Sequence, residues 1–315
     1  MRTGPFLCGN GTKPGLGLHR NKDRDQTETK TGRKSQIAKE KKKMKVAYSG
    51  IKGAYANIAA MKIFEGAECA PCSSFGSVYD AVTKGECDYG VLPIENSFAG
   101  DVSQVMDLLY FGNLYINGIY EMPIIHHLVG IMNTDISRIR AVYSHPQALD
   151  QCAEYIKEKG FIQNASSNTA VAARGVADLM DPSLAAIASA ETAELYGLKV
   201  LDEKINERDD NMTRFVVVSP SPEPIAPLRE EFSLILTVKD EAGSFAKAVT
   251  TIGNEGFNMR AIRSRPAKRL AWSYYFYIEG DGDLESENGV RMISRLKENC
   301  EVIRVIGNYA KVREI

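Results

Sequence analysis

The sequence predicts an α/β fold followed by a smaller ferredoxin-like domain, and three observations lead to that expectation. From Met44 onward, short apolar runs alternate with amphipathic helical segments, the pattern of α/β layers with largely parallel sheets. The stretch SPSPEPIAP at 219–227 carries four prolines in nine residues and therefore marks a linker. After this linker the order of elements is βαββαβ over about 80 residues, which is the ferredoxin-like order.

The elements before the linker follow from apolar periodicity and from helix start and stop residues. Pro146 in a first turn and Gly160 at the end delimit one helix over 146–160. By the same criteria, strands are predicted at 45–50, 88–97, 114–132 (two strands or one long bent strand), 138–144, 184–189, 198–205 and 213–220, and further helices at 54–64, 73–85, 101–112, 166–179 and 190–197.

The second domain is predicted from the same signals. Its strands are expected at 232–240, 258–266, 271–282 and 301–310, and its helices at 244–256 and 285–300. Small domains of this order are often regulatory, but that is an analogy from fold and carries no chemistry.

The overall charge and composition exclude two classes of protein. The chain has 315 residues with 39 Lys and Arg against 40 Asp and Glu, so its net charge is −1, which argues against a dedicated nucleic-acid binder. No apolar run approaches the roughly 18 residues that a membrane-spanning helix needs. A hydrophobic content of 44% is that of an ordinary globular protein with a sizeable core.

The first 43 residues differ from the rest of the chain. They contain 12 Lys and Arg but 4 Asp and Glu, and they show no apolar periodicity. We interpret them as a disordered basic tail, with Met44 opening the folded part; a basic arm for nucleic acid is the alternative. No apolar segment follows Arg2, so no secretory signal is predicted and a cytoplasmic location is expected.

The cysteines give a weak signal for metal or redox chemistry. Cys69 and Cys72 form a C-x-x-C pair, but no second pair exists, and a structural zinc site requires four ligands. With no secretory signal predicted, the six cysteines are expected to be reduced. No metal site is predicted.

Five loops that join a strand to a helix are rich in small polar residues, at 48–57, 93–103, 143–151, 165–173 and 188–194. Helix N-termini attract anions through free N–H groups, and in α/β sheets such loops gather at the carboxyl ends of strands. The expected ligand is therefore a small organic anion. Ordinary helix capping uses the same residues and explains any single loop equally well.

The segment NMTRFVVVSP at 211–220 also stands out, because a Thr–Arg pair enters an apolar strand directly after a charged stretch. One interpretation is an edge strand with polar ends. The other is a strand that carries a hydroxyl and a guanidinium to a cleft.

With these motifs the chain resembles the prephenate dehydratases that carry a C-terminal ACT domain. The resemblance runs from Lys45 to about residue 312. It rests on YGVLPIENS (89–97), YSHPQAL (143–149), the segment 169–201 that begins TAVAARGVAD, NMTRF (211–215), and SRP (264–266) followed by Trp272.

The resemblance implies a fold and a reaction. The catalytic domain, 44–222, would have two lobes like a periplasmic binding protein, with lobe one at 45–120 and 203–220 and lobe two at 121–202. The ACT domain would span 229–312 and pair into a homodimer or homotetramer. The family converts prephenate to phenylpyruvate with loss of CO2 and water in phenylalanine biosynthesis, without a metal or organic cofactor.

The resemblance also carries over site residues by motif. Thr213 would be the essential catalytic hydroxyl, acting as an acid or as a hydrogen-bond donor to the departing oxygen. The expected substrate-binding residues are Asn96, Ser97, Ser144, Gln147, Arg214 and Gly53, and for Arg214 a structural role beside Thr213 is the alternative. L-Phenylalanine would be the effector, bound by Gly243, Ser244, Phe245, Asn258, Arg263, Ser264, Arg265 and Pro266.

Departures from the family pattern leave alternatives open. Ala54–Tyr55 resembles the loop of arogenate-specific relatives, so arogenate is an alternative substrate. Phe245 and Arg263 stand where relatives usually carry other residues, which predicts weakened phenylalanine control. The His126–His127 pair is interpreted as core or strand-end residues. A non-catalytic aromatic amino-acid sensor on the same fold is the alternative to an enzyme, and the intact NMTRF motif favours the enzyme.

Overall fold

The computed structural model describes residues 43–267 and 274–315. The expected tail, apart from Lys43, and Trp272 therefore lie outside the described residues. Three sheets organise this part of the chain, and each has helices packed on it.

The first sheet has seven strands, in the order β16-β5-β11-β3-β1-β2 with β4 paired to β3. The strands are β1 (Lys45–Ser49), β2 (Glu68–Cys72), β3 (Tyr89–Asn96), β4 (Gly100–Asp101), β5 (Tyr115–Pro123), β11 (Met212–Ser219) and β16 (Arg313–Glu314). Its helices are α1 (Tyr55–Ile63), α2 (Phe75–Thr83) and α3 (Ser103–Phe111).

The second sheet has five strands, in the order β10-β6-β9-β7-β8. They are β6 (His127–Gly130), β7 (Ala141–Ser144), β8 (Ile162–Ala165), β9 (Leu184–Ala188) and β10 (Lys199–Asp202). The helices of this region are α4 (Pro146–Asp150), α5 (Ala153–Lys159), α6 (Thr169–Leu179) and α7 (Ala190–Leu195), with a short 3-10 turn at Ile136–Arg138.

The third sheet forms the expected ferredoxin-like domain. It is antiparallel, in the order β13-β14-β12-β15, with strands β12 (Glu231–Val238), β13 (Asn258–Pro266), β14 (Tyr274–Asp281) and β15 (Cys300–Tyr309). Two helices, α8 (Ser244–Asn254) and α9 (Glu287–Asn299), cover one face. The chain follows the βαββαβ order predicted from the sequence.

Both larger sheets are mixed, so the expectation of largely parallel sheets was wrong. β11 runs antiparallel to β3 and β5, and β6 runs antiparallel to β9 and β10. The physical reason is the path of the chain: it leaves the first sheet through β5 and re-enters between β5 and β3 through β11. This return strand places the motif at 211–215 in the middle of the first sheet.

Three further expectations needed correction. The single helix expected over 146–160 is two helices, because the carbonyl of Gln151 accepts from the amide of Glu207 and is not used inside a helix. Strands β2 and β8 were missed, since both are edge strands with largely exposed side chains and no apolar run. Residues 138–140 precede β7 instead of forming part of it.

The third sheet packs against the first sheet rather than standing apart. Tyr275, Tyr277 and Tyr309 are almost fully buried, and they belong to the same apolar cluster as Val216 and Val218 of β11. The ring of Tyr110 on α3 stacks on Tyr275 with centroids 3.9 Å apart. Face-to-face packing of this kind joins the C-terminal domain to the strands that carry the expected site.

Cys69 and Cys72 do not form a site. Their side chains leave β2 toward different apolar clusters, because residues three apart on a strand point to opposite faces. Burial raises the pKa of both thiols, which disfavours the thiolate needed for metal binding or redox chemistry. Across the described ranges, no group of three His, Cys, Asp or Glu residues could hold a metal ion.

Candidate active site

A cleft lies between the first and second sheets. Its cavity has a volume of about 370 Å³ and is lined from the first sheet side by residues such as Tyr55, Phe75 and Thr213, and from the second by Gln147 and Asn168. A neighbouring cavity of about 560 Å³ shares Ala99, His145, Gln147 and Gln151 with it and opens the cleft outward. The two together form a pocket and its mouth.

Thr213 and Asn96 face each other across neighbouring strands. They are direct partners in the β11–β3 register, and both side chains line the cavity. Asn96 Nδ2 lies 3.0 Å from Thr213 Oγ1. The sequence motifs that contain these two residues, 89–97 and 211–215, therefore meet at one point.

Two backbone amides set the direction of this hydrogen bond. The N–H groups of Phe98 and Ala99 donate to Asn96 Oδ1, at 3.1 and 3.0 Å. The oxygen of the Asn96 amide is thereby assigned, so its nitrogen must be the atom facing Thr213. Thr213 Oγ1 accepts, and no acceptor for its own hydrogen lies within the described part of the chain. That hydrogen is free for a molecule in the cleft.

The same polarity extends along a chain of neutral groups. Asn96 Nδ2 also lies 2.9 Å from Asn211 Oδ1 and 3.0 Å from the carbonyl oxygen of Met212, so its two hydrogens are shared among three acceptors. Asn211 Nδ2 donates to Gln151 Oε1 at 2.9 Å. Because that oxygen is an acceptor, His126 Nε2, 2.9 Å away, must carry the proton and donate to it. The order of donors is fixed from the backbone of Phe98 to the ring of His126.

His126 is neutral in this arrangement. It is buried, and burial lowers its pKa to about 4, although the hydrogen bond to Gln151 acts in the opposite direction. Its other nitrogen, Nδ1, lies 3.2 Å from the hydroxyl of Tyr55, which donates to the carbonyl of Ile125 at 2.7 Å. The network thus ends in uncharged groups.

Gln147 connects the two sides of the cleft. It belongs to α4, beside the second sheet, and its Nε2 donates to Asn96 Oδ1 at 3.0 Å on the first. Gln151 Nε2, by contrast, is buried without a hydrogen-bond partner in residues 43–267 and 274–315. A buried donor without a partner costs free energy, and here it lines the cavity. It is a second donor available to a ligand.

The cavity contains little formal charge. Asp101 lies along its wall, but its carboxylate pairs with Arg263 of β13. Helix α6 begins at the wall, with Asn168 capping the amide of Val171 and with Thr169 beside it. An eleven-residue helix presents a partial positive charge at this end. At the mouth, the guanidinium of Arg208 lies 4.9 Å from the ring centre of Phe98 and pairs with Asp210. The cleft suits a small anion with a partly apolar body.

Three of the expected substrate-binding residues lie close by without facing the cavity. Ser144 is fully buried and donates to the carbonyl of Ile187 at 2.7 Å, inside the second sheet. Ser97 Oγ donates to the carbonyl of Asp210 and accepts from the amide of Met212. The carbonyl of Gly53 accepts from Thr192 at 2.7 Å, and its φ of +90° explains the glycine. These residues hold the walls in place.

Of the two roles expected of Arg214, its position in the structure fits the structural one and not direct contact with the cleft. Successive residues of a strand point to opposite faces, so Arg214 faces away from the cleft that Thr213 faces. Its guanidinium pairs with Glu95, Glu121 and Glu279, at 3.1, 3.6 and 2.8 Å. It lies between the first and third sheets.

Sequence reasoning missed four residues of the network. Gln151 lies in the loop 143–151 and Asn211 in the motif 211–215, so both stood inside segments that had been singled out, although neither received a role. Tyr55 was considered only as part of the Ala54–Tyr55 pair, which made arogenate an alternative substrate. His126 was interpreted as a core or strand-end residue, and it is indeed buried, but it also forms the end of the network.

The eight residues expected to bind an effector lie on two faces of the third sheet. Phe245, at the start of α8, stacks on Phe276 with centroids 4.0 Å apart, and Ser264 is paired with Phe276 in the sheet. Arg263 and Arg265 point to the other face, which corrects their expected place beside Phe245. Arg263 pairs with Asp101, at the end of β4, and Arg265 donates to Ser103, the first residue of α3.

The remaining members of that set are also placed. Gly243 has a φ of +83° and precedes the buried Ser244. Asn258 donates to Asp281 at 2.9 Å and stands six residues before Ser264 on β13, or roughly 20 Å along the strand. Pro266 ends the strand. Within one chain, Asn258 and Phe245 therefore do not share a pocket.

Comparisons with known proteins agree with this geometry. The family model described as prephenate dehydratase matches residues 46–223. "Arogenate dehydratase 2" from Petunia hybrida is 32% identical over 292 residues, covering 87% of this chain and 74% of the relative.

Two solved structures share the fold. The prephenate dehydratase from Arthrobacter aurescens in complex with L-Phe has a TM-score of 0.78 and 27% identity, covering 85% of this chain and 90% of that one. A structure described as GqqA, a novel type of quorum quenching acylase, has a TM-score of 0.78 and 28% identity, covering 84% of this chain and 97% of that one.

Proposed function

Since this chain belongs to the prephenate dehydratase family, we propose that it converts prephenate to phenylpyruvate, releasing CO2 and water. The observation that carries the proposal is the free hydroxyl hydrogen of Thr213 at the wall of an anion-compatible cleft. Since Asn96 donates to the oxygen of Thr213, and Thr213 lines the cavity, the hydroxyl can donate its own hydrogen to a ligand there.

The reaction needs little covalent assistance from the protein. As the bond between the ring and its carboxylate breaks, the electron pair enters the ring, the ring becomes aromatic, and the ring hydroxyl departs. The charge that develops on the departing oxygen requires a hydrogen bond, and Thr213 Oγ1 would donate it. A donor held in place before the reaction lowers the barrier without reorganising.

Of the two roles that the sequence left open for Thr213, the network favours hydrogen-bond donation over full proton transfer. Asn96 and Asn211 cannot relay a proton, and neutral His126 lies beyond them. A threonine hydroxyl is also a very weak acid. The proton that completes the water would then come from solvent, and Thr213 would stabilise the departing oxygen.

The carboxylates of prephenate would be bound by dipoles. Gln151 Nε2 lacks a partner, and the N-terminus of α6 faces the same cavity. Both are donors without formal charge, which is compatible with a dianion that must lose one carboxylate.

The test is a turnover assay with purified protein, in which phenylpyruvate is followed by its absorbance in alkali. Prephenate should be consumed by the wild-type chain, with Thr213→Ala as the control for background. Absence of turnover with prephenate would overturn the proposal.

Arogenate is the second candidate substrate. Ala54 and Tyr55 line the cavity, and the Petunia relative is named an arogenate dehydratase. Arogenate would be assayed in parallel by the formation of phenylalanine. A higher kcat/KM for arogenate than for prephenate would assign the chain to that substrate. A non-catalytic sensor would turn over neither compound.

Phenylalanine is proposed as an effector of the C-terminal domain. The Arthrobacter structure was described in complex with L-Phe. Phe245 already stacks on Phe276 here, so we expect weak binding that still selects phenylalanine over tyrosine. Calorimetry with both amino acids and inhibition of turnover would test this; no heat and no inhibition at millimolar phenylalanine would leave the domain a role in assembly alone.

Assembly and location complete the proposal. β13 is an edge strand that exposes Ile262, and such an edge is covered when two domains pair, so we propose a homodimer or homotetramer. The proposed limits are 44–222 for the catalytic domain and 229–312 for the ACT domain.

A cytoplasmic location is proposed because five cysteines in the described ranges are free thiols. No helix among the described residues is long and apolar enough to cross a bilayer.

A further inference from the structure

A layer of ion pairs lies between the third sheet and the face of the first sheet that is turned away from the cleft. We call the residues Glu95, Asp101, Arg214, Arg263 and Glu279 the ionic layer. Arg263 of β13 lies at its centre: its Nη2 is 2.7 Å from Glu95 Oε2, its Nη1 is 3.5 Å from Glu279 Oε1, and its Nε donates to Asp101 Oδ1. Arg214 bridges Glu95 and Glu279 from the other side.

Three of the five side chains of this layer are largely withdrawn from water, while those of Glu95 and Asp101 are 29% and 33% exposed. The side chain of Arg263 is 11% exposed, that of Arg214 17% and that of Glu279 5%. Charges removed from solvent are tolerated when they are paired, and removing one partner leaves the others uncompensated. A cavity of about 430 Å³ at one side, lined in part by Lys311 and Arg260, keeps the layer from being sealed completely.

The ionic layer is attached to the cleft through the alternation of two strands. Glu95 immediately precedes Asn96 on β3, and Arg214 immediately follows Thr213 on β11. The pairs Glu95–Arg214 and Asn96–Thr213 are neighbours in the same register. One pair points to the third sheet and the other to the cleft, so a displacement of the first displaces the second.

Arg263 also holds the turn that orients Asn96. This turn runs from 96 to 101. The amides of Phe98 and Ala99 within it donate to Asn96 Oδ1. At its end, Asp101 is the strand partner of Glu95, and its carboxylate accepts from Arg263 of the C-terminal domain. Releasing Asp101 would loosen the end of the turn from which the direction of the whole network is set.

We propose that Arg263 is a positioning residue for the hydroxyl of Thr213, acting through Asp101 and Glu95 on the turn 96–101. It touches neither the cleft nor a ligand within it. The kinetic part of this inference rests on the proposed function, while the structural part, the anchoring of the turn, does not.

The test compares three variants of the full chain. Arg263→Gln removes the charge, Arg263→Lys keeps it, and Arg304→Gln is the matched control. Arg304 is another partly buried arginine that crosses between the same two domains, but it donates to the carbonyls of Leu109, Tyr110 and Gly112 at the end of α3. It therefore touches neither β3 nor the turn.

Two readouts are expected to separate positioning from stability. Arg263→Gln should lower kcat for prephenate about tenfold with KM changed less than about threefold, Arg263→Lys should recover part of the loss, and Arg304→Gln should keep kcat within about twofold. In hydrogen exchange, the Phe98 and Ala99 amides should exchange at least about tenfold faster in Arg263→Gln and not in Arg304→Gln.

Asp101→Asn provides a second route if Arg263→Gln folds poorly, because it removes the same contact from a partly exposed turn. Asp101→Asn should lower kcat by a similar factor. The double variant Arg263→Gln/Asp101→Asn should show no larger decrease in kcat than either single variant. Equal kcat and equal exchange in the Arg263→Gln and Arg304→Gln proteins would overturn the inference. Absence of turnover in the wild type would refute the proposed function alone, since exchange still decides whether Arg263 anchors the turn.

Discussion

The two faces of the β3–β11 pair differ in chemistry although they share one backbone. On the cleft face, Asn96 and Thr213 belong to a network of neutral amides, a hydroxyl and an uncharged imidazole. On the opposite face, Glu95 and Arg214 belong to an ionic layer. The neutral face keeps its donors in a fixed order over a wide pH range, while the charged face joins two domains.

The difference shows where each type of interaction is useful. A directed chain of amides leaves two donors available to a ligand, the hydroxyl of Thr213 and Nε2 of Gln151, because the amide oxygens along it are occupied as acceptors. Ion pairs have less directional character, and they suit a contact between sheets that must hold several side chains at once. Burial would raise the pKa of Glu95, but Arg263 and Arg214 outweigh it and lower that pKa.

The largest expected effect comes from removing the free donor of the cleft face. Thr213→Ala should lower kcat at least about 100-fold with a smaller change in KM, because the departing oxygen loses its hydrogen bond. Thr213→Ser should keep more activity. Steady-state kinetics with prephenate measure both, and an alanine variant with nearly normal kcat would show that the hydroxyl is not used.

The second effect comes from reversing the polarity of the neutral network. In Asn96→Asp the carboxylate still accepts from Phe98 and Ala99, but it would also accept the hydrogen of Thr213, which is then no longer available to the substrate. We expect kcat to fall about 30-fold, or about 2 kcal/mol. Asn164→Asp on the edge strand β8 is the matched control and should behave like the wild type. Equal kinetics in the two variants would contradict the donor order inferred here.

A third, smaller effect concerns the cleft face alone: the stability of the protein should depend on pH through the buried His126. The folded-state pKa of His126 is about 4, below the ordinary value of 6.5, so the unfolded chain binds a proton first as the pH falls. Stability from this group is complete above about pH 6.5 and decreases down to about pH 4. Between pH 7.5 and 5 the loss should be about 2 kcal/mol.

Urea denaturation at the two pH values measures this loss. His126→Gln should show less of the decrease than the wild type, whereas His127→Gln, at a less buried histidine with a pKa also lowered by burial, should keep most of it. An unchanged pH dependence in His126→Gln would show that the imidazole is not held neutral by the fold.

The smallest effect is expected from removing the basic segment at 1–43. A chain that begins at Met44 should fold, melt within about 2 °C of the full chain and turn over at the same rate, because the segment lacks apolar periodicity. Differential scanning calorimetry and the turnover assay check this. A much lower melting temperature would show that the segment packs on the folded part.

Sequence motifs identified residues of the site, but they did not show to which face of the sheet a side chain points. The motifs at 89–97 and 211–215 indicated Asn96 and Thr213, which meet in the cleft. Because side chains alternate along a strand, Arg214 and Thr213 must point to opposite sides of the sheet. Nothing in the sequence says which of these two residues points into the cleft. For that reason the sequence left Arg214 with two expected roles, structural or substrate-binding, and its pairing with Glu279 favours the structural one.

Long-range pairing was the other limit. Strands β2 and β8 carry few buried side chains, so they have no apolar signal of their own. The antiparallel insertion of β11 between β3 and β5 depends on partners that lie 89 or more residues away in the chain. Likewise, the place of Arg263 beside Asp101 joins positions 162 residues apart, and a linear motif near 264–266 assigned it to a different pocket.

The C-terminal domain is attached to one strand of the first sheet at both of its ends. At its beginning, the linker is held where Asn117 of β5 donates to the carbonyl of Ser221. At its end, β16 pairs with β5 at Tyr120 and Glu121. These anchors lie about 13 Å apart along β5. Because both ends of the C-terminal domain are fixed to β5, and β13 of this domain contacts the turn at 96–101, a displacement of β5 would reach that turn by way of the third sheet as well as through the first.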